Sequence, residues 1–141
     1  MLPFLLSNSI DDCNLARAAA VRKELGLEDQ VRIEHHITAE NAYARHARAA
    51  QLCRTMGREA GLTLFPVRED ICSPTVTAFN VPDGWTWPEL DAALRKKGLV
   101  LGGNYGPLDG HVFRVGHMGS QADEALVTKG MAVLKEVLGS R

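Results

Sequence analysis

Thr75-Val76-Thr77-Ala78-Phe79-Asn80-Val81 runs into Pro82-Asp83-Gly84 and then into Trp85-Thr86-Trp87-Pro88-Glu89-Leu90, and this stretch decides the fold. The first seven residues alternate and are rich in β-branched side chains, which predicts a strand. Pro82-Asp83-Gly84 is a turn signal. Thr86 and Glu89 have the spacing of a capping box, and Pro88 sits where the first helical turn tolerates proline. The helix that follows turns Leu90, Ala93 and Leu94 inward. It ends on Arg95, Lys96 and Lys97, cations placed at the negative end of the helix dipole, before Gly98.

Reading outward to the C-terminus, Leu99 to Leu101 starts another strand, and Gly102, Gly103, Gly106 and Gly110 mark a loop. Val112 to Val115 reads as a strand. Ser120 is expected to cap a last helix to Leu138, with Asp123 as its third-position acid. In the other direction, Leu62 to Pro66 reads as a short strand. A helix from after Thr38 to about Ala60 repeats Ala42, Ala49, Leu52, Cys53, Met56 and Ala60 at helical spacing. A further helix starts at Ser9, with Asp11 and Asp12 in its first turn, and stops at Gly26. Residues 27–37 are charged and fit neither pattern. From residue 62 the order is β-β-α-β-β-α, an α+β arrangement with helices on an antiparallel or mixed sheet, preceded by two N-terminal helices. Residues 1–38 form a helical segment without assignment, and 39–141 the remaining domain.

The chain has 141 residues and a net charge of -1, with 45% hydrophobic and 23% charged residues. This fits one globular domain and lacks the basic surface of a general nucleic-acid binder. Cys13, Cys53 and Cys72 form no CxxC pair, which argues against a zinc ribbon or redox motif. An odd cysteine count without a leader sequence points to reduced thiols and a cytoplasmic location. Met1 to Leu6 is apolar but too short for a membrane span, and reads as a strand or docking segment.

Arg114 is the side chain most suited to ligand chemistry. Phe113 and Val115 face one side of their strand and Arg114 the other. Glycines around it allow close approach of a ligand, and a guanidinium fork matches a carboxylate with two parallel bonds. A surface salt bridge is the competing reading. Gly102, Gly103, Tyr105 and His117 are candidates to line its pocket; for His117, packing within the loop is the alternative. Gly102-Gly103-Asn104-Tyr105-Gly106 lacks the phosphate-cradle patterns and leads into a strand, so it reads as a turn. His35, His36, His46, His111 and His117 lack the spacing of metal ligands, and no metal is expected. No GxSxG elbow is present. Trp85 and Trp87 read as caps on the core.

Ser73-Pro74-Thr75-Val76-Thr77-Ala78, the helix–glycine–strand run from Leu90 to Gly103, and Gly106-Pro107-Leu108 leading into Phe113-Arg114-Val115-Gly116-His117-Met118-Gly119 together resemble a known family. It is the C-terminal small domain of class V, fold type I aminotransferases that use pyridoxal phosphate, of the alanine–glyoxylate and serine–pyruvate type. The resemblance covers about residues 40–141 and is strongest from 62 onward. It implies that Arg114 binds the substrate α-carboxylate and that helix 39–60 is the distal part of the family's inter-domain helix. The family's large domain, with its Schiff-base lysine and cofactor pocket, has no counterpart here. Lys23, Lys96, Lys97, Lys129 and Lys135 all fall in expected helices, and none matches the family's lysine loop. The expectation is therefore a chain with no catalytic residues of its own and no bound pyridoxal phosphate when alone. It would supply an arginine to transamination of a small amino acid with a 2-oxo acid. The alternative is a stand-alone, non-catalytic binding or oligomerisation module. Expected partners are a missing large domain or a second copy joined in a dimer to which Met1–Leu6 contributes, and a small carboxylate, with neither nucleic acid nor membrane.

Overall fold

The structure is a computed structural model, and it describes residues 4–5, 20–21, 23–26, 31–32 and 39–140. The chain divides into two compact units, residues 1–44 and 45–141. In the first, strand β1 (Phe4–Leu5) pairs in parallel with β2 (Val31–Arg32), in the register Phe4 to Val31. Residues 20, 21, 23 and 24 are helical and turn at Gly26. The rest of the helix expected between Ser9 and Leu25 lies outside the described residues.

Helix α1 (Ala39–Glu59) matches the span expected from its apolar repeat. It buries Ala49 and Cys53 and half-buries Leu52 and Met56. Strands β3 (Val76–Asn80) and β4 (Val112–Gly116) form an antiparallel pair with Ala78 opposite Arg114 and Phe79 opposite Phe113. Between them lies α2 (Trp87–Lys96), with its capping box in place: the Glu89 carboxylate accepts from the Thr86 N–H at 3.0 Å. Gly98 then takes a φ of +79°, open to glycine without penalty, and Leu99 N–H reaches back to the Leu94 carbonyl at 3.0 Å. The last helix is α3 (Glu124–Leu138).

Two of the four expected strands shrink to single bridges. Leu64 pairs with Phe79 and Gly102 with Arg114, both antiparallel, so the sheet order runs from the 64 segment through β3 and β4 to the 102 segment. The physical reason is local. Pro66 has no N–H to extend the first ladder, and Gly102-Gly103 offers no side chain to pack on the second. The start of α3 is also corrected. Ser120 lies in a 3₁₀ turn over Gly119–Gln121, and Ala122, with ψ of 62°, breaks that turn before the α-helix begins. Asp123 is the N-cap instead, its Oδ1 accepting the Leu126 N–H at 2.8 Å.

One core joins these elements. Leu90 and Leu94 from α2, Met131 and Leu134 from α3, and Cys53 from α1 pack around Phe79 and Phe113. Each fully buried leucine or phenylalanine contributes about 1.5–3 kcal/mol. The period-2 pattern of β4 places Phe113 and Val115 in this core and leaves Arg114 half-buried on the opposite side.

Candidate functional site

The backbone of Arg114 is fixed first. Its N–H donates to the Gly102 carbonyl at 2.7 Å, and its carbonyl accepts the Gly102 N–H at 3.1 Å. The guanidinium is fixed next, since Nε and Nη2 both donate to the Gly103 carbonyl oxygen, at 3.0 and 2.8 Å. Its Cζ lies 5.8 Å from the centroid of the exposed Tyr105 ring, within cation–π range. Among the described residues no carboxylate pairs with it. Of the acids near in sequence, Asp123 is committed to its helix cap.

Five N–H donors form the guanidinium fork. Gly103 occupies the edge made by Nε and Nη2. The end-on edge, one Nη1 donor and the outer Nη2 donor, keeps the parallel geometry that a carboxylate fits. The site can thus hold a carboxylate end-on while its opposite edge is anchored to backbone.

Gly103 itself is set by α2. A Cβ at position 103 would lie 2.6 Å from Trp87 Nε1, so the indole occupies the space a side chain needs. That indole stacks on Phe113, with centroids 5.5 Å apart and planes at 11°, and Phe113 meets Phe79 at 5.7 Å. The Trp87–Gly103 contact has no counterpart in the sequence pattern, from which Trp87 reads as a core cap and Gly103 as pocket lining. The signal that finds it is the aromatic at the first turn of a helix followed, one strand later, by paired glycines.

The other expected pocket residues divide. Gly102, Gly103 and Tyr105 gather at the guanidinium. His117 is fully buried, with Nε2 2.8 Å from Thr77 Oγ1 and its backbone N–H donating to the Thr75 carbonyl at 2.9 Å. Burial pushes its pKa below the ordinary 6.5. The loop beyond it is held by α1, a feature with no counterpart in the sequence reading. Gly119 N–H donates to His46 Nε2 at 3.1 Å, Arg45 Nη1 donates to the Gly119 carbonyl at 3.0 Å, and Arg48 pairs with Glu124 at 3.0 Å.

A mostly apolar cleft of about 360 Å³ runs between the 99–102 segment, β4 and α3, lined in part by Leu99, Leu101, Val115, Met131 and Leu134. Neither a lysine nor a carboxylate lines it, so nothing there suits a Schiff base or a partner for a pyridine nitrogen. Lys96 and Lys97 line a separate cavity of about 540 Å³ with Glu89 and Glu136, and Lys97 is bonded to Glu136 at 2.7 Å. Among the described residues no three His, Cys, Asp or Glu side chains cluster as metal ligands, and no helix is long and apolar enough to cross a membrane.

No family model matches the chain. Individual proteins do. It is 36% identical over 100 residues to the L-aspartate–glyoxylate aminotransferase of Paracoccus denitrificans, covering 70% of this chain and 25% of that protein. It is 34% identical over 97 residues to the alanine–glyoxylate aminotransferase of Drosophila melanogaster, covering 68% and 25%. Among solved structures, the pyridoxamine–pyruvate aminotransferase of Mesorhizobium loti superposes with a TM-score of 0.68 at 28% identity, over 98% of this chain and 33% of that one. Fold and matches together define an α+β domain of the aminotransferase kind. More narrowly, the chain is a relative of the class V aminotransferases, which depend on pyridoxal phosphate. It spans about a quarter of the length of the curated relatives it matches.

Proposed function

We propose that this domain presents Arg114 to the carboxylate of a small 2-oxo or amino acid, and that it serves pyridoxal-phosphate-dependent transamination whose cofactor is held elsewhere. The observation that carries the reading is the guanidinium anchored by one edge to Gly103 with its end-on edge free of any described carboxylate. A structural salt bridge consumes the fork; here backbone holds it open. The relatives act on glyoxylate and pyruvate by name, which sets the size of the acid. The residues of this chain do three things in that scheme. Arg114 binds and orients the carboxylate, the Gly103 carbonyl fixes the guanidinium, and Tyr105 covers one of its faces.

The test is a titration of the chain with sodium pyruvate and sodium glyoxylate, followed by ¹H–¹⁵N NMR at the Arg114 Nε–H. The expected result is a saturable shift that Arg114→Ala abolishes. An unmoved Nε–H, or identical shifts of neighbouring amides in the alanine variant, overturns the carboxylate reading and leaves the non-catalytic module in its place. Pyridoxal phosphate added to the chain alone, with borohydride reduction and peptide mapping, is expected to label no single lysine stoichiometrically.

A further inference from the structure

We infer that Trp87 is the positioning residue of the carboxylate site, acting on Arg114 through Gly103. The inference rests on the carboxylate reading above and adds to it the element that sets the guanidinium's place.

The chain of contacts is short. Phe79 and Phe113 are buried, facing each other across β3 and β4. Trp87, at the first position of α2, stacks on Phe113 with planes at 11°. The capping box beneath it and Pro88 beside it fix the start of the helix and so the origin of the indole. The indole also meets Gly103, so closely that an added Cβ would stand 2.6 Å from Nε1, 3.1 Å from Cε2 and 3.3 Å from Cδ1. Real Cβ contacts do not reach the first of these, so the 103 backbone can hold its place only as glycine. Its carbonyl receives both Arg114 donors. A displacement of that carbonyl carries the guanidinium with it, and a two-pronged carboxylate contact tolerates little displacement. The ring stack thus transmits the position of the core to the ligand-binding fork. Gly102 differs: a Cβ there would meet Arg114 no closer than 3.7 Å, which is ordinary contact.

The relation predicts a rescue. In Gly103→Ala the new methyl meets the indole, the carbonyl moves, and pyruvate binding weakens on the order of tenfold, about what one lost charge-assisted contact represents. In the double variant Gly103→Ala with Trp87→Leu the wall is gone and binding recovers most of that factor. A purely structural role for Trp87 gives the opposite result, with the double variant worse than either single one. The experiment measures, on the full chain, pyruvate affinity and the water-exchange rate of the Arg114 Nε–H in Gly103→Ala, Trp87→Leu, the double variant and Trp87→Phe. Trp87→Phe keeps an aromatic stack but opens the space at Gly103, and is expected to speed Nε–H exchange several-fold even where Gly103→Ala fails to fold. Unchanged exchange in Trp87→Phe overturns the inference. So does a folded double variant with no recovery. The exchange measurement needs no ligand, so a wild-type chain that ignores pyruvate but shows the exchange effect would sink the carboxylate reading and keep Trp87 as the residue that places Arg114.

Discussion

The ring of Phe79 lies against the backbone of Gly57, so close that a Cβ on that glycine would stand 2.5 Å from ring Cε1. Glycine in the last turn of α1 gives up helix propensity relative to alanine, by up to about 1 kcal/mol. The close approach of strand β3 to the helix is what offsets it. Gly57→Ala is therefore expected to destabilise the domain, by about 1–3 kcal/mol of overpacking, although propensity alone favours the change. Urea unfolding followed by circular dichroism checks the sign, and a stabilised variant would show that helix and strand separate easily.

Thr77 and His117 make the buried polar contact of this core, and it carries a pH dependence. Burial depresses the folded His117 pKa below the 6.5 of the unfolded chain. Between the two values the unfolded chain binds a proton that the folded chain refuses, so stability is full above about 6.5 and is lost as pH falls toward the folded value. The group that faces His117 is Thr77 Oγ1, and the charge of Arg54 also opposes a proton there. The exposed Glu69, bonded to Arg54 and Arg58, titrates in a lower window. Its pKa is held below 4.5, so its contribution fades only under more acid conditions. The expected result is a urea midpoint that is flat above pH 7 and falls as the pH drops below about 6.5, with the slope reduced in His117→Gln. A flat profile in the wild type would contradict the assignment.

Cys53 and Cys72 should differ in reactivity. Cys53 is buried beside Met131, its Sγ 3.8 Å from the thioether sulfur, and burial pushes its thiol up to about 11. Cys72 is part-exposed. Thiolate attacks alkylating reagents, and a rise from the ordinary 9.0 to about 11 lowers the thiolate fraction on the order of a hundredfold. Iodoacetamide at pH 8 is expected to label Cys72 well before Cys53 in the native chain, and both alike in urea. Peptide mass spectrometry reads the ratio, and equal native labelling would refute the burial.

What was legible in the sequence is what neighbours in sequence decide. The strand near Val76–Asn80, the capping box at Thr86 and Glu89, the stop at Gly98 and the span of α1 all depend on local pattern, and all stand in the structure. The Leu62–Pro66 and Leu99–Leu101 strands were overdrawn, because a strand's length depends on its partner and not on its own alternation. Ser120 and Asp123, three residues apart, are both good caps in sequence, and the 3₁₀ turn that takes in Ser120 leaves the α3 cap to Asp123. At the site, strand alternation and the glycines singled out Arg114. The bonds from its guanidinium to Gly103, and the indole behind Gly103, link residues 11 and 16 positions apart through loop geometry that no periodicity encodes.

Arg114→Ala separates the role of this residue from its place in the fold. The guanidinium makes its two described hydrogen bonds to one carbonyl, is half-buried, and pairs with no described carboxylate. Its loss leaves the Gly103 carbonyl to water at the surface, a cost on the order of 1 kcal/mol or less. Breaking a buried ion pair would instead cost about 3–5 kcal/mol. The urea midpoint of Arg114→Ala is thus expected near that of the wild type, while its affinity for pyruvate falls below detection. Arg114→Lys adds a second arm. Lysine keeps the charge but cannot hold Gly103 with one edge and a carboxylate with the other, so its binding should be weaker than wild type and more sensitive to salt. A large stability loss in the alanine variant would mean that the arginine is structural and that its partner lies outside the described contacts. Wild-type affinity in the lysine variant would mean that charge alone, without the fork, holds the acid.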